Sequence, residues 1–373
     1  MARVLLIGTL ETKQAELGYL RDALGRYGLD VAMLDVSLGS KGAVWSGKEK
    51  LARMTEKAQA AATDVGAHCT DCQVAIGVGG GTGGEIVLAA MKALPATYPK
   101  ILITTLAFDP RPALADSAIT IIPTLCDIEG LNTQLRQVFE NAAAAIAGLT
   151  KAQPIVRDDR KTVAVTTLGA TGAAGANIAR VLTEANLEPT VFHANGYGGA
   201  AFSRFVEEGH VQGVIDMNVH ELGRIHLAGA HVSMPTRFSS AASLPRVVLP
   251  GALNFLGLSA LETVSNAHLK RPHYCHTQQF THIKLTKDEM SEQAKRLAAI
   301  LNDSIAPCHV LIPMGGFSHE DRPGGAIEDS ELRAITAEIL NEQARAYTVT
   351  QLPDHINDPN TAKAAVAALR DHL

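Results

Sequence analysis

Short apolar runs recur along the first part of the chain: RVLLIG (3–8), DVAMLDV (30–36), QVAIGV (73–78), KILITTL (100–106) and AITIIPT (118–124). Runs this short and this continuously apolar suit parallel strands covered on both faces. Between them lie stretches of helical character. Residues 13–28 carry Leu17, Leu20 and Leu24 on one face and stop at Gly28, residues 45–66 are alanine-rich, and 84–94 and 129–149 complete the set. Regular alternation of strand and helix predicts a doubly wound parallel sheet.

The rhythm breaks at KAQPIVRDDRK (151–161), a charged, proline-containing stretch without period, and then restarts. TVAVTTLG (162–169) leads into a helical pattern over 173–189, followed by TVFHANG (190–196) and HVQGVIDM (210–217). Further strands are expected near 246–249, 280–285, 309–313 and 346–351, and helices near 287–302, 330–345 and 359–372. The expected fold is α/β: two tandem Rossmann-like, doubly wound parallel-sheet domains, 1–152 and 160–373, with ligands taken where strand ends face an interdomain cleft.

Composition narrows the classes. The chain has 373 residues, 46% hydrophobic and 19% charged, with a net charge of −5 and no basic run. That is a globular composition with no electrostatic footprint for nucleic acid. No apolar stretch reaches a membrane span, and the start MARVLLIGTLETK lacks the form of a secretory signal. Five cysteines in such a length suggest a reducing compartment, and a cytoplasmic location is expected. The close pair Cys69 and Cys72 has no second pair, so incidental surface thiols are expected there.

The densest chemical signal is GVGGGTGGE (77–85), six glycines in eight residues between a strand and a helix. Bare backbone approaches an anion closely, its N–H groups point inward, and the next helix adds the positive end of its dipole. The Gly-Lys-[Ser/Thr] ending of a Walker loop is absent. Phosphate binding at Gly79–Gly84 competes with a plainer account, a tight turn for close helix–sheet packing. Gly8 and Thr9 end the first strand beside that loop if the two strands are neighbours. Lys13 either offers a point charge or is solvated while Thr9 or Thr12 caps the helix. Asp35 and Ser37 end the second strand, where an acid can accept bonds from a ribose. Asp127, after the fifth strand, is an N-cap or a ligand contact.

Taken in order, IGTLETK, LDVSLG, GVGGGTGG and CDIEGLN, then VFHANGYGG, QGVIDMNVHE, RPHYCHT and PMGGFSHEDRPGG, resemble the family of the tomato-mosaic-virus (tobamovirus) resistance protein of tomato. The resemblance implies an N-terminal ATP-binding domain and a second α/β domain without an assigned role. On the matching positions it implies nucleotide contacts at Gly8, Thr9, Thr12, Lys13, Asp35 and Ser37, at the loop Gly79, Gly80, Gly81, Thr82, Gly83 and Gly84, and at Asp127, Gly130 and Asn132. Glu11 stands where the family has an aspartate, Thr82 lies one step later than the usual hydroxyl residue, and Thr277 replaces an asparagine. A homodimer is expected from the resemblance and because most soluble oligomers are two-fold.

One of the 14 histidines precedes residue 150; the rest lie in the second domain. His193, Asp216, Glu221, His276 and His319 fall near strand ends and are candidates for one acid–base site, although most of the histidines, taken singly, read more readily as surface or hydrogen-bonded groups. No H-E-x-x-H or paired C-x-x-C framework assigns a metal there. Three functions stay open. The first is an ATP-dependent transferase or ligase that uses Mg²⁺ and acts on a small, anionic metabolite. The others are a nucleotide-responsive protein-binding module without turnover, and a metal-dependent hydrolase or lyase centred on the second domain.

Overall fold

The computed structural model describes residues 3–40, 43–68, 70–153, 155 and 159–373. The chain divides into two compact units, Met1–Arg157 and Asp158–Leu373. Within the stretch expected as a linker, residues 154 and 156–158 lie outside the described residues, as does Cys69.

The first unit runs β1 (Arg3–Gly8), α1 (Leu10–Arg26), β2 (Asp30–Asp35), α2 (Gly47–His68), β3 (Val74–Val78), α3 (Thr82–Ala93), β4 (Lys100–Thr104), α4 (Arg111–Leu114), β5 (Ile119–Pro123) and α5 (Thr133–Leu149). Its five strands pair in parallel in the order β2-β1-β3-β4-β5. Alternate residues of each strand go to opposite faces. Val4 and Leu6 pack with Leu17, Leu20 and Phe139 on the α1–α5 side, while Leu5 and Ile7 pack with Val65, Val87 and Met91 on the α2–α3 side. Burial on both faces is why these strands read as unbroken apolar runs. Cys72 belongs to this second cluster and is 4% exposed, so the expectation of a surface thiol fails there.

The second unit runs β6 (Thr162–Thr167), α6 (Gly172–Glu184), β7 (Glu188–His193), α7 (Gly198–Glu207), β8 (Gly213–Asn218), α8 (Glu221–His226) and β9 (Arg246–Gly251). It continues with β10 (Phe255–Leu258), α9 (Asn266–Leu269), β11 (His273–Thr277), β12 (Phe280–Lys284), α10 (Lys287–Asn302), β13 (Cys308–Pro313), α11 (Ser330–Glu342), β14 (Thr348–Leu352) and α12 (Pro359–Arg370). Six strands form a parallel sheet in the order β14-β13-β9-β8-β6-β7. The fold is therefore two Rossmann-like α/β units in tandem, as the alternation predicts.

The strand expected near 280–285 does not join that sheet. It is β12, the middle of a separate antiparallel sheet β10-β12-β11 inserted between β9 and α10. The return to α/β rhythm after it is marked locally. Thr286 accepts from the Glu289 N–H at 3.2 Å, and Glu289 accepts from the Thr286 N–H at 2.8 Å, a reciprocal cap that starts α10. Among the described residues no helix is long and apolar enough to cross a membrane.

Candidate functional site

In the first sheet the strand order reverses at β1 and β3, which are hydrogen-bonded neighbours. Their connections to α1 and α3 leave toward opposite faces, and a crevice opens between them at the carboxyl edge. The glycine loop and the Gly8–Lys13 turn are thus side by side, as the sequence required for a shared site.

The two helix starts differ in what their donors do. At α1, Leu10 N–H donates to Asp35 Oδ1 at 3.0 Å and Glu11 N–H to Ser37 Oγ at 2.9 Å, while Thr12 and Lys13 N–H both return to Thr9 O. Asp35 Oδ1 also accepts from the Ser37 N–H and hydroxyl. Burial works upward on the Asp35 carboxyl, and the Ser37 and Leu10 bonds with the Lys57 charge overcome it, leaving the pKa lowered. Asp35 and Ser37, at the end of β2, thus cap the start of α1, the helix that connects β1 to β2.

At α3 the donors are not spent. Gly79 N–H donates to Ile103 O at 3.1 Å, and Gly84 and Glu85 N–H begin the helix on Gly80 O and Gly81 O. Between them, the N–H groups of Gly80, Gly81, Thr82 and Gly83 donate to no acceptor among the described residues. The loop is tight at its base, where a Cβ on Gly79 would lie 2.5 Å from Gly84 N. It is open at its crown, where a Cβ on Gly81 would meet nothing nearer than Ala107 Cβ at 3.8 Å. The base of the loop is thus packed as a tight turn, and its crown is open.

A cavity of about 620 Å³ lies against the crown, and Thr9, Thr12, Lys13, Ser37, Gly79, Gly80, Gly81, Thr82, Gly83 and Asp127 line it. Gly8, Asp35, Gly84, Gly130 and Asn132 do not. Gly8 packs under Leu17 and Gly84 against Phe108. Gly130 N–H donates to Glu16 Oε1 at 2.7 Å, and Asn132 caps α5 by accepting from Leu135 N–H. Lys13 Nζ is 2.6 Å from Glu129 Oε2, so its charge is shared. Ser40, Trp45 and Lys50 also line the cavity; Trp45 and Lys50 begin the stretch read as a helix over 45–66, and no motif marked any of the three as a ligand contact. Gly80, Gly81 and Asp127 face a second hollow too, beside Thr105, Thr124 and Leu125. Leu106 and Leu125 hold left-handed backbone, φ 56° and 59°, at the ends of neighbouring strands.

The five candidates of the second unit do not form one cluster. Asp216 and Glu221 are buried and held by Arg237, a side chain no motif singled out. Its Nη1 and Nη2 lie 2.9 Å from the Asp216 oxygens and its Nε 2.7 Å from Glu221 Oε2. Thr166 donates to Asp216, and Gly196 and Gly199 N–H donate to Glu221. Both carboxylates are consumed in joining the loops after β7 and β8. His319 is exposed beside Glu320 on the β13–α11 connection. His193 and His276 are near enough to interact: burial lowers the His193 pKa, Glu221 opposes this, and the His276 charge adds to it.

Four rings stand in series, beginning at His276. It stacks on His282 (centroids 4.8 Å apart, 9° between planes), His282 on Phe255 (4.1 Å), and Phe255 against His220 (4.7 Å). His220 Nδ1 contacts Ala252 O at 3.0 Å, while its buried Nε2 has no hydrogen-bond partner among the described residues. No group of three or more His, Cys, Asp or Glu side chains able to hold a metal occurs among the described residues.

Two family models match the chain: "Uncharacterised protein family (UPF0261) N-terminal domain" over residues 44–154 and the C-terminal domain of the same family over residues 160–373. A UPF0261 protein of Mesorhizobium japonicum is 32% identical, covering 99% of each chain. One of Rhizobium meliloti is also 32% identical, over 100% of this chain and 99% of its own. The ToMV resistance protein Tm-1 of tomato, Solanum lycopersicum, is 30% identical over 78% of this chain and 40% of its own length. The likeness carried by the eight sequence motifs is borne out.

Proposed function

The chain belongs to the UPF0261 family, and on that premise we propose that its N-terminal unit binds ATP and that the protein is an ATP-dependent transferase or ligase for a small, anionic metabolite. The observation that carries this is the run of four consecutive N–H donors, Gly80 to Gly83, unspent at the head of α3 and facing a cavity at the switch point. The donor set fits a polyphosphate. Backbone N–H groups cradle the oxygens, Lys13 adds partial positive charge, and Asp127 and the Thr82 hydroxyl are oxygen ligands of the kind Mg²⁺ takes beside phosphates. Mg²⁺ neutralises phosphate charge when bound. The capping bonds of Asp35 favour a role in shaping the turn over one on the ribose. In the second unit, His193 and His276 are the better candidates for proton transfer, since Asp216 and Glu221 are tied to Arg237.

Gly81→Val tests the phosphate site. The backbone there has a negative φ of −63°, with ψ −89°, and room for a Cβ, so a side chain is accommodated and fills the crown of the loop. The expected result is loss of the ATP-induced rise in melting temperature with the ligand-free value little changed. A variant that still responds to ATP overturns the assignment. His276→Ala should keep the ATP response and lose turnover.

A second reading, a nucleotide-responsive binding module without turnover, draws on Leu106 and Leu125. Both are exposed, Leu125 by 90%, and Leu125 borders the hollow beside the glycine loop. Apolar side chains kept in water on left-handed backbone suit a surface that meets another protein. Release of ADP or AMP over many turnovers favours the enzyme; ATP-dependent capture of a partner with release of neither favours the module. A metal-centred hydrolase has no ligand set among the described residues from which to be built.

A further inference from the structure

The cavity beside the glycine loop has a side that a bare phosphate does not use. Leu38, Ala43, Val44 and Trp45 reach it from the stretch between β2 and α2, and Ile86 from the second turn of α3. Polar lining comes from the turn after β1, from Gly79–Gly83 after β3 and from Asp127 after β5, and Ser37, Ser40 and Lys50 add polar groups beside the apolar ones. The apolar side chains are nevertheless concentrated on the one stretch between β2 and α2. Val44 is 99% exposed, an apolar side chain left in water at the cavity's edge.

Trp45 is the single tryptophan of the chain and is half-buried. The Arg53 guanidinium lies 4.8 Å from its ring centroid. A cation over an aromatic ring is attracted to it and restrains it, so the indole is held as a plate at the cavity wall. An indole is a costly lining for a site that takes only a sugar phosphate, which has no flat apolar face to lay on it. It suits a ligand that joins an anionic group to a planar heterocycle.

Resting on the ATP reading above, we infer that Trp45 is the stacking surface for the base, and that the ligand class of this cavity is a purine nucleotide. Stacking on an aromatic side chain strengthens with overlap, and a fused two-ring base covers more of an indole than one ring does. The phosphates lie toward Gly80–Gly83 and the base toward Leu38 and Trp45. Trp45 is thus a specificity-determining residue: it distinguishes nucleotides from polyphosphates that share the same anionic end.

The single indole makes the test direct. Emission of the full-length protein, excited where tyrosine is silent, is titrated with ATP, with inorganic tripolyphosphate and with adenosine, and melting temperatures are taken on the same samples. The expected result is that ATP and adenosine change Trp45 emission, that tripolyphosphate does not, and that ATP and tripolyphosphate both raise the melting temperature. Trp45→Leu should weaken ATP about tenfold and leave tripolyphosphate unchanged, and Trp45→Phe should recover most of the loss. If ATP raises the melting temperature while Trp45 emission stays constant and Trp45→Leu binds ATP normally, the stacking role is overturned and the phosphate site stands. Equal emission changes with ATP and tripolyphosphate overturn it as well. If neither ATP nor tripolyphosphate alters the melting temperature, the phosphate site itself is wrong and the base site falls with it.

Discussion

Arg237 has no exposed side-chain surface, and three of its nitrogens reach two carboxylates. Removing it strands Asp216 and Glu221 in the core without a counter-charge. Arg237→Met is expected to destabilise the second unit by about 3–5 kcal/mol in urea unfolding, the usual penalty for half of a buried ion pair. Arg237→Lys should not restore it, because one ammonium cannot supply the forked geometry. The acids were legible in the sequence as strand-end residues. Their partner was not, since Arg237 lies in an aperiodic stretch and becomes a neighbour only once β8 and the chain after α8 are folded. Leu125 invites the opposite change. Its φ of 59° and 90% exposure mean that it holds unfavourable backbone and packs against little. Leu125→Asn should raise stability by about 1 kcal/mol, and an unchanged unfolding midpoint would show that the turn carries no strain.

Helices α1 and α3 begin at adjacent strands, yet one is capped and the other is not. Asp35→Ala removes the acceptor for Leu10 N–H and the anchor of Ser37. It should cost about 1 kcal/mol, the ordinary loss of a cap, while the ATP-induced rise in melting temperature survives. Disappearance of that rise in a folded Asp35→Ala protein would instead make Asp35 a ligand contact. Elements of the parallel sheets were readable because burial on both faces writes them as apolar runs, from RVLLIG to the strand at 308–313. The antiparallel insert was legible only in its middle strand, β12. Its hairpin turns at Gln278 and Gln279, without the glycine or asparagine that announces a tight turn, and β11 is largely exposed. The glycine loop was visible by composition alone, but the division of labour within it depends on Ile103, Ala107 and Phe108, which lie on or after β4.

At the scale of the whole molecule the two units should answer acid differently. Burial, reinforced by the Arg224 charge and opposed by the Ala252 bond, brings the His220 pKa down to about 3, and burial with the charges of His220, His276 and Arg224 brings His282 down to about 2. Burial lowers His193, His226, His309 and His355 in the same sense. Each folded value lies below the free histidine value, so the unfolded chain takes up protons that the folded unit refuses. This stability is present above about pH 6.5 and is lost as pH falls toward about 3, at up to about 1.4 kcal/mol per pH unit for each of His220 and His282. Asp321, raised by burial, works against this only near the carboxylate range. The first unit has one histidine, His68. Calorimetry between about pH 7.5 and 5 should show one transition moving down much further than the other. Transitions that move together would argue against the buried, neutral state of these rings.

The ring series ties the surface to the interior. His276 is exposed, and His220 is 1% exposed at the far end. Each ring packs on the next, so a substitution that removes His276 takes away one face of His282 and loosens a stack that ends on an imidazole too deep to meet solvent.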